Sequence, residues 1–352
     1  MQIHQNGQLG MHTNLINDGV LDDNLGQAGF YGDQLLTVSG AFVATFYNLE
    51  IANPESVLLN TALNSSNNTI FILGNFVTPR DQMDNYLNFL ENAISTSSND
   101  ISKVDGYVQI NQKPNFIFPV GDETQLRPLI LSSESVNMNA KCAYFFENPN
   151  LASTFPGGFD TAVKANKLGP ISTREFWRLE GSVPSTVQLS WNARSGIAEL
   201  TEDPTTVAIA GWSKTTNQWE RLSEVSASGD SNQGFVSSGT FIPNDYEVLT
   251  LAASMEESTM LPISLPSVYV NANEPLVIPE LEQSPNNSLL IFDRFGMKVF
   301  EKENYTNEFE GYANKGFIVY GRGKGLPPGV YFFIVKMFDV GLEYQSFFYL
   351  SD

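Results

Sequence analysis

The stretch NSLLIFDRFGMKVFEKENY, residues 287–305, followed by LPPGVYFFIV, residues 326–335, decides how the end of this chain is read. In an extended segment Leu290 and Phe292 share one face and Leu289 and Ile291 the other, so both faces call for burial and a central strand is predicted. Asp293, Arg294, Phe295 and Gly296 read as a tight turn in which Gly296 supplies the positive φ that a hairpin needs. Met297 to Lys302 then run back. Pro327, Pro328 and Gly329 interrupt the chain, because proline fixes φ and offers no donor to a ladder. Val330 to Phe338 and Leu342 to Leu350, separated by Asp339, Val340 and Gly341, are the next two strands. Sixteen of the 42 aromatic residues fall in the last 66 positions, which lets so short a module bury a core of its own.

The order Asp-Arg-Phe-Gly (293–296), Lys-Val-Phe (298–300), Asn304-Tyr305, Asn307, Phe309-Glu310-Gly311 and Leu326-Pro327-Pro328-Gly329-Val330-Tyr331 resembles the gliding-motility-associated C-terminal domain. That family is the type B sorting domain of the Bacteroidota type IX secretion system. The resemblance covers residues 287–352 and implies a small Ig-like β-sandwich, export across the outer membrane, and display at or release from the cell surface. It implies as partners the secretion translocon and an outer-membrane shuttle protein. The residues it marks for export-signal recognition are Arg294, Phe295, Gly296, Tyr305, Gly311, Leu326, Pro327, Gly329 and Tyr331. Two roles are open to them. They can meet the export machinery directly through exposed aromatic or strand-edge groups, or they can shape the module, with Gly296 and Gly329 holding turns and Arg294 pairing with a carboxylate. The family's usual Pro-Asn-x-Asp-Gly opening is not recognisable before Asn286, so the module's first strand is not fixed by the motif.

Composition narrows the partners. The chain has 352 residues and a net charge of −20, from 19 basic and 39 acidic groups, so a polyphosphate backbone would be repelled and nucleic acid is not expected as a partner. Residues 285–352 carry seven basic and eight acidic groups, which sets the terminal module apart from the acidic chain before it. One cysteine, Cys142, excludes an internal disulfide. No apolar run approaches the roughly 18 to 20 residues that cross a bilayer, and no secretory leader opens the sequence. Export therefore carries the expectation that a signal peptide has been removed and that Met1 is internal to a precursor.

Upstream, residues 1–160 show short apolar groups about ten residues apart with Asn or Gly at the corners: Leu15-Ile16, Phe46 to Ile51, Val57 to Leu59, Thr69 to Leu73. Stacked coils, each burying two or three residues and turning at a polar corner, give that pattern; a sandwich is the alternative. Met83, Leu87, Leu90 and Ile94 have helical spacing, but continuity with Val104 to Val108 favours strand. A Gly- and Pro-containing connection, 148–169, leads to a predicted Ig-like sandwich over 165–253, where strand-like runs alternate with Pro, Gly, Asn and Ser clusters. All four tryptophans, Trp177, Trp191, Trp212 and Trp219, lie there and are read as core. Residues 254–286, with five prolines, are read as a semi-rigid linker able to hold one strand near Ser267 to Val270. The whole is an all-β chain.

Catalytic and cofactor patterns are not found. Neither His4 nor His12 has a Gly-x-Ser-x-Gly elbow to serve, and two histidines and one cysteine do not make a zinc site. Gly321-x-Gly323-x-Gly325 runs into Leu326-Pro327-Pro328, which forbids the helix a dinucleotide fingerprint requires. Asp18, Asp22, Asp23 and Asp33 lack a calcium-loop pattern and are read as a solvated acidic loop. No metal or cofactor is expected. Asp160-Thr161-Ala162 fits a short O-glycosylation pattern and makes Thr161 the candidate acceptor. The expected function is a non-enzymatic, adhesive or gliding-motility-related surface protein whose ligand is a surface glycan or surface protein. The alternative is a polysaccharide-degrading enzyme on the solenoid, which needs two carboxylates roughly 5 to 10 Å apart.

Overall fold

A computed structural model describes residues 2–22, 24–223, 226–255, 268–271, 275–278, 281, 284–294, 296–315, 325–339 and 342–351. Its first part is a parallel two-faced coil. The strands Gln8–Met11, Gln27–Tyr31, Ala44–Ala52, Leu63–Leu73 and Leu87–Phe89 form one parallel face. The short strands Leu15–Ile16, Leu36–Ser39, Val57–Leu59, Phe76–Val77 and Val104–Asp105 form the other. The chain alternates between the faces, so each half-turn is about ten residues, as the apolar spacing predicts. The Met83 segment, for which strand is favoured over helix, forms the short strand Leu87–Phe89.

Alternation within each strand explains the coil. Phe30, Phe46, Leu49, Ile51, Leu63 and Phe71 are buried from one face and meet Val38, Val57, Leu59 and Phe76 from the other. The corners need Asn and Gly for different reasons. Asn24 accepts the Ile3 N–H at 2.7 Å and donates to the Thr45 carbonyl at 2.8 Å, satisfying turn groups on two rungs. Gly74 sits at φ +77°, and a Cβ there would lie 1.7 Å from the Asn53 carbonyl oxygen, so no other residue fits.

The coil runs without a break into antiparallel structure. Tyr107–Phe118 pairs parallel with the last rung on one side and antiparallel with the long strand Leu129–Phe145 on the other. That strand divides: Leu129 to Ser133 pair with Ser185–Asn192, and Ala140 to Phe145 pair with Phe176–Gly181. Two antiparallel layers follow, one through Tyr246–Ser254 and Val207–Ser213, the other through Gln233–Ser237. Trp177, Trp191 and Trp219 are buried, Trp177 and Trp191 in the same apolar core that begins at Ile3. At the point of division lies an ion pair. Arg127 meets Glu175 at 3.0 and 2.8 Å, and Glu175 also accepts the Tyr144 hydroxyl at 2.7 Å. The 148–169 connection is more than a spacer, since Phe155 and Phe159 pack on Phe145, Phe176 and Trp219.

The C-terminal sheet has the strand order Val268–Asn271, Leu342–Ser351, Gly329–Met337, Asn287–Phe292, Lys298–Glu303. Asn287–Phe292 is central, as its two apolar faces require. The strand Val268–Asn271 pairs parallel with the last strand, and Leu276, Ile278 and Leu281 are buried in the module's core. The module therefore takes in part of the segment whose prolines suggest a linker, since Val268–Asn271 extends its sheet and Leu276, Ile278 and Leu281 fill its core. Among the described residues one face of this sheet is covered by connecting segments.

Candidate functional site

The motif residues of the C-terminal module sort into a buried set and a turn. Asn304 takes φ +51° and brings Tyr305 under the sheet. The Tyr305 phenol donates to the Leu276 carbonyl at 2.6 Å and accepts the Phe309 N–H at 3.2 Å. Its own N–H donates to Asn287 Oδ1 at 2.8 Å, and the Asn287 amide donates to the Ser284 carbonyl at 2.8 Å. Asn307 Oδ1 accepts the Ile278 N–H at 3.0 Å. Tyr305 thus ties three separate segments together, and burial pushes its phenol well above the ordinary tyrosine range.

Tyr331 is buried too. It stacks on Phe348 at 5.7 Å and donates to the Pro327 carbonyl at 2.8 Å. Burial raises its phenol first; the Asp293 carboxylate adds to the rise and Arg294 offsets it, so the turn at 293 lies within electrostatic reach of Tyr331. Leu326 donates its N–H to the Gly311 carbonyl at 2.7 Å, and Gly311, at φ +83°, sits against Leu350.

The turn itself closes through Asp293. Its N–H donates to the Met297 carbonyl at 2.9 Å, its Oδ1 accepts the Met297 N–H at 2.9 Å, and its carbonyl accepts the Gly296 N–H at 2.9 Å. Gly296 has φ +84°, as a hairpin turn at that place demands, and the Gln188 side chain of the middle region lies beside it.

Of the nine residues marked by sequence, Gly296, Tyr305, Gly311, Leu326 and Tyr331 are buried, Arg294 and Pro327 are exposed, Gly329 is half-buried, and Phe295 lies outside the described residues. Gly321 and Gly323 lie outside them as well. Two asparagines that no motif marks also fasten the connecting segments: Asn287, and Asn314, which exchanges hydrogen bonds with the Glu301 backbone at 2.9 and 2.8 Å. Their signal is the local excess of asparagine at strand ends, where the side chain replaces backbone partners.

Residues 268–350 match the CHU_C Type IX secretion signal domain. The matched span opens at the strand Val268–Asn271, the edge strand of the sheet just described. The signal domain indicates a type IX secretion substrate, and it implies interaction with the secretion machinery and export to the cell surface or the extracellular space. No curated protein and no solved structure matches the chain.

The signal domain also touches the rest of the protein. Phe292 and Phe332, on the sheet face turned away from Tyr305, enclose Phe235 of the middle region. Leu290, Val330, Ile334 and Phe347 pack around them. Upstream, Thr161 is half-buried, with its hydroxyl hydrogen-bonded to the Asn150 side-chain oxygen at 3.2 Å. Among the described residues, no group of three or more His, Cys, Asp or Glu is placed to hold a metal ion, and no helix is long and apolar enough to cross a membrane.

Proposed function

We propose that this is a non-enzymatic surface protein whose signal domain directs export by the type IX translocon and an outer-membrane shuttle protein, with the coil and the antiparallel layers displayed as adhesive cargo. The observation that carries this reading is the division of the chain's chemistry. The export label is a sheet with an apolar core of its own, and the upstream part is a long coil bearing rows of amide and hydroxyl side chains on its parallel face, the kind of surface that binds rather than transforms. Arg294 and Pro327, exposed at the turns that flank buried Tyr331, are the signal domain's contact points with the machinery, and the buried motif residues set the shape that presents them. Thr161 is the proposed O-glycosylation acceptor.

Fusing residues 255–352 to a folded reporter in a host with this secretion system tests the export half. Reporter in the medium or on the cell surface is expected, and reporter held in the periplasm refutes it. The non-enzymatic half is tested by incubating the whole protein with bacterial and plant polysaccharides. New reducing ends would overturn it.

A further inference from the structure

In the first three rungs of the coil one row carries two glycines, with an aromatic ring laid across them. Gly10 pairs with Gly29, and Gly29 with Glu50, in one row across the parallel face. The two glycines leave their places in that row empty, and Tyr31, two residues along, folds back over them. A Cβ on Gly29 would lie 2.2 Å from the Tyr31 hydroxyl oxygen, and one on Gly10 would lie 3.4 Å from the ring. The Tyr31 hydroxyl donates to Glu50 Oε1 at 2.7 Å, and the Gln27 amide donates to Glu50 Oε2 at 3.1 Å. Tyr31 is only half-buried. The ring is thus pinned at its tip and backed by glycine, with the His12 ring beside it at 5.7 Å and tilted by 34°. Burial and the adjacent Glu50 carboxylate raise its phenol, which keeps the hydroxyl a donor.

Beside these glycines runs a second row, Gln8, Gln27 and Asn48, in register across the same three rungs. It borders a hollow of about 400 Å³ that Tyr47 also lines. Neighbouring rungs stand ~4.8 Å apart, about the width of one sugar ring. From Gln27 to Tyr31 the surface extends roughly 13 Å at the rise of an extended strand. Amides offer donors and acceptors together, which matches the vicinal hydroxyls of a sugar and not a charged group. A pinned aromatic face suits the C–H side of a pyranose. Acidity of the whole chain, at −20, works against an anionic chain.

We infer that this face is a binding site for a neutral polysaccharide, with Tyr31 as stacking platform, Glu50 and Gln27 fixing it, and Gln8, Gln27 and Asn48 bonding sugar hydroxyls. The site deepens the reading of the upstream region as displayed adhesive cargo, but its test uses purified protein and does not depend on export.

The test is affinity electrophoresis of the full chain through gels containing neutral β-glucan, mannan or galactan, with alginate as the anionic comparison. Retardation by at least one neutral polymer is expected. Tyr31→Ala should weaken it about tenfold, the loss of one stacked ring. Gly10→Gln, which fills the place left by that exposed glycine and leaves Tyr31 in place, should weaken it comparably with an unchanged melting temperature. No retardation by any neutral polymer, retardation by alginate alone, or equal retardation of the parent and Gly10→Gln proteins overturns the site. Release of reducing ends from a retarding polymer would instead sink the non-enzymatic reading and leave the site standing.

Discussion

Phe235 of the middle region stands 5.1 Å, ring centre to ring centre, from Phe292 of the signal domain. Phe332 meets the same ring edge-on at 5.2 Å, and the three side chains are 2%, 9% and 0% exposed. The outer face of the signal sheet is therefore closed by a residue of its cargo. Removing that ring should cost about 3–5 kcal/mol, as for other buried phenylalanines. Phe235→Ala is expected to split the calorimetric unfolding of the whole protein into two transitions. A single transition at the parent temperature would show that the two parts are not coupled through this ring.

The Arg127 and Glu175 side chains are 3% and 1% exposed, so neither charge has water to fall back on. Arg127→Met leaves the carboxylate uncompensated and should cost about 3–5 kcal/mol. Arg127→Met with Glu175→Leu removes both charges and should recover most of that loss. Urea unfolding followed by tryptophan fluorescence, with Trp177 donating to the Arg127 carbonyl at 2.9 Å, reads both. A double variant no more stable than the single one contradicts the argument.

Tyr305 predicts an alkaline limit for the signal domain. Its phenol is raised by burial, so above pH ~10 the unfolded chain loses this proton first. The folded state then holds more protons, and stability falls as pH rises. The contribution is whole below pH 10 and is lost as pH climbs toward the folded value. Melting temperatures between pH 8 and 11 should fall less steeply for Tyr305→Phe than for the parent; parallel curves would exclude Tyr305 as the source.

Buried and exposed motif residues can be told apart by pairing stability with export. Tyr331→Ala should destabilise the signal domain by about 3–5 kcal/mol and lower export with it. Arg294→Ala, at an exposed position, should change stability by no more than about 1 kcal/mol. Export lost in Arg294→Ala at an unchanged melting temperature assigns Arg294 to recognition, and export retained removes it from the contact surface.

Gly74→Ala should prevent the coil from forming, since the new Cβ would overlap the Asn53 carbonyl oxygen, a backbone atom that cannot swing away. Circular dichroism of the purified variant checks this. A native spectrum would show that the corner can be rebuilt.

Local chemistry alone determined a good deal. The two-faced apolar run Leu289 to Phe292 made a central strand, Gly296 a turn, the ten-residue spacing a coil, and the motif order a type IX signal, because strand period, φ preference and corner residues act within a few positions of one another. Only the tertiary structure decided which motif residues are reachable. The sequence leaves open whether Tyr305 and Tyr331 face the machinery or shape the module; both are buried, with Leu276 and Pro327 supplying carbonyls to their hydroxyls. The tertiary structure also decided that Leu276 and Ile278, set among prolines, belong to the signal domain's core, and that Phe235, some sixty residues upstream of Phe292, covers its outer face. These depend on contacts between segments far apart in the chain, and no local pattern encodes which distant partner fills a given apolar face.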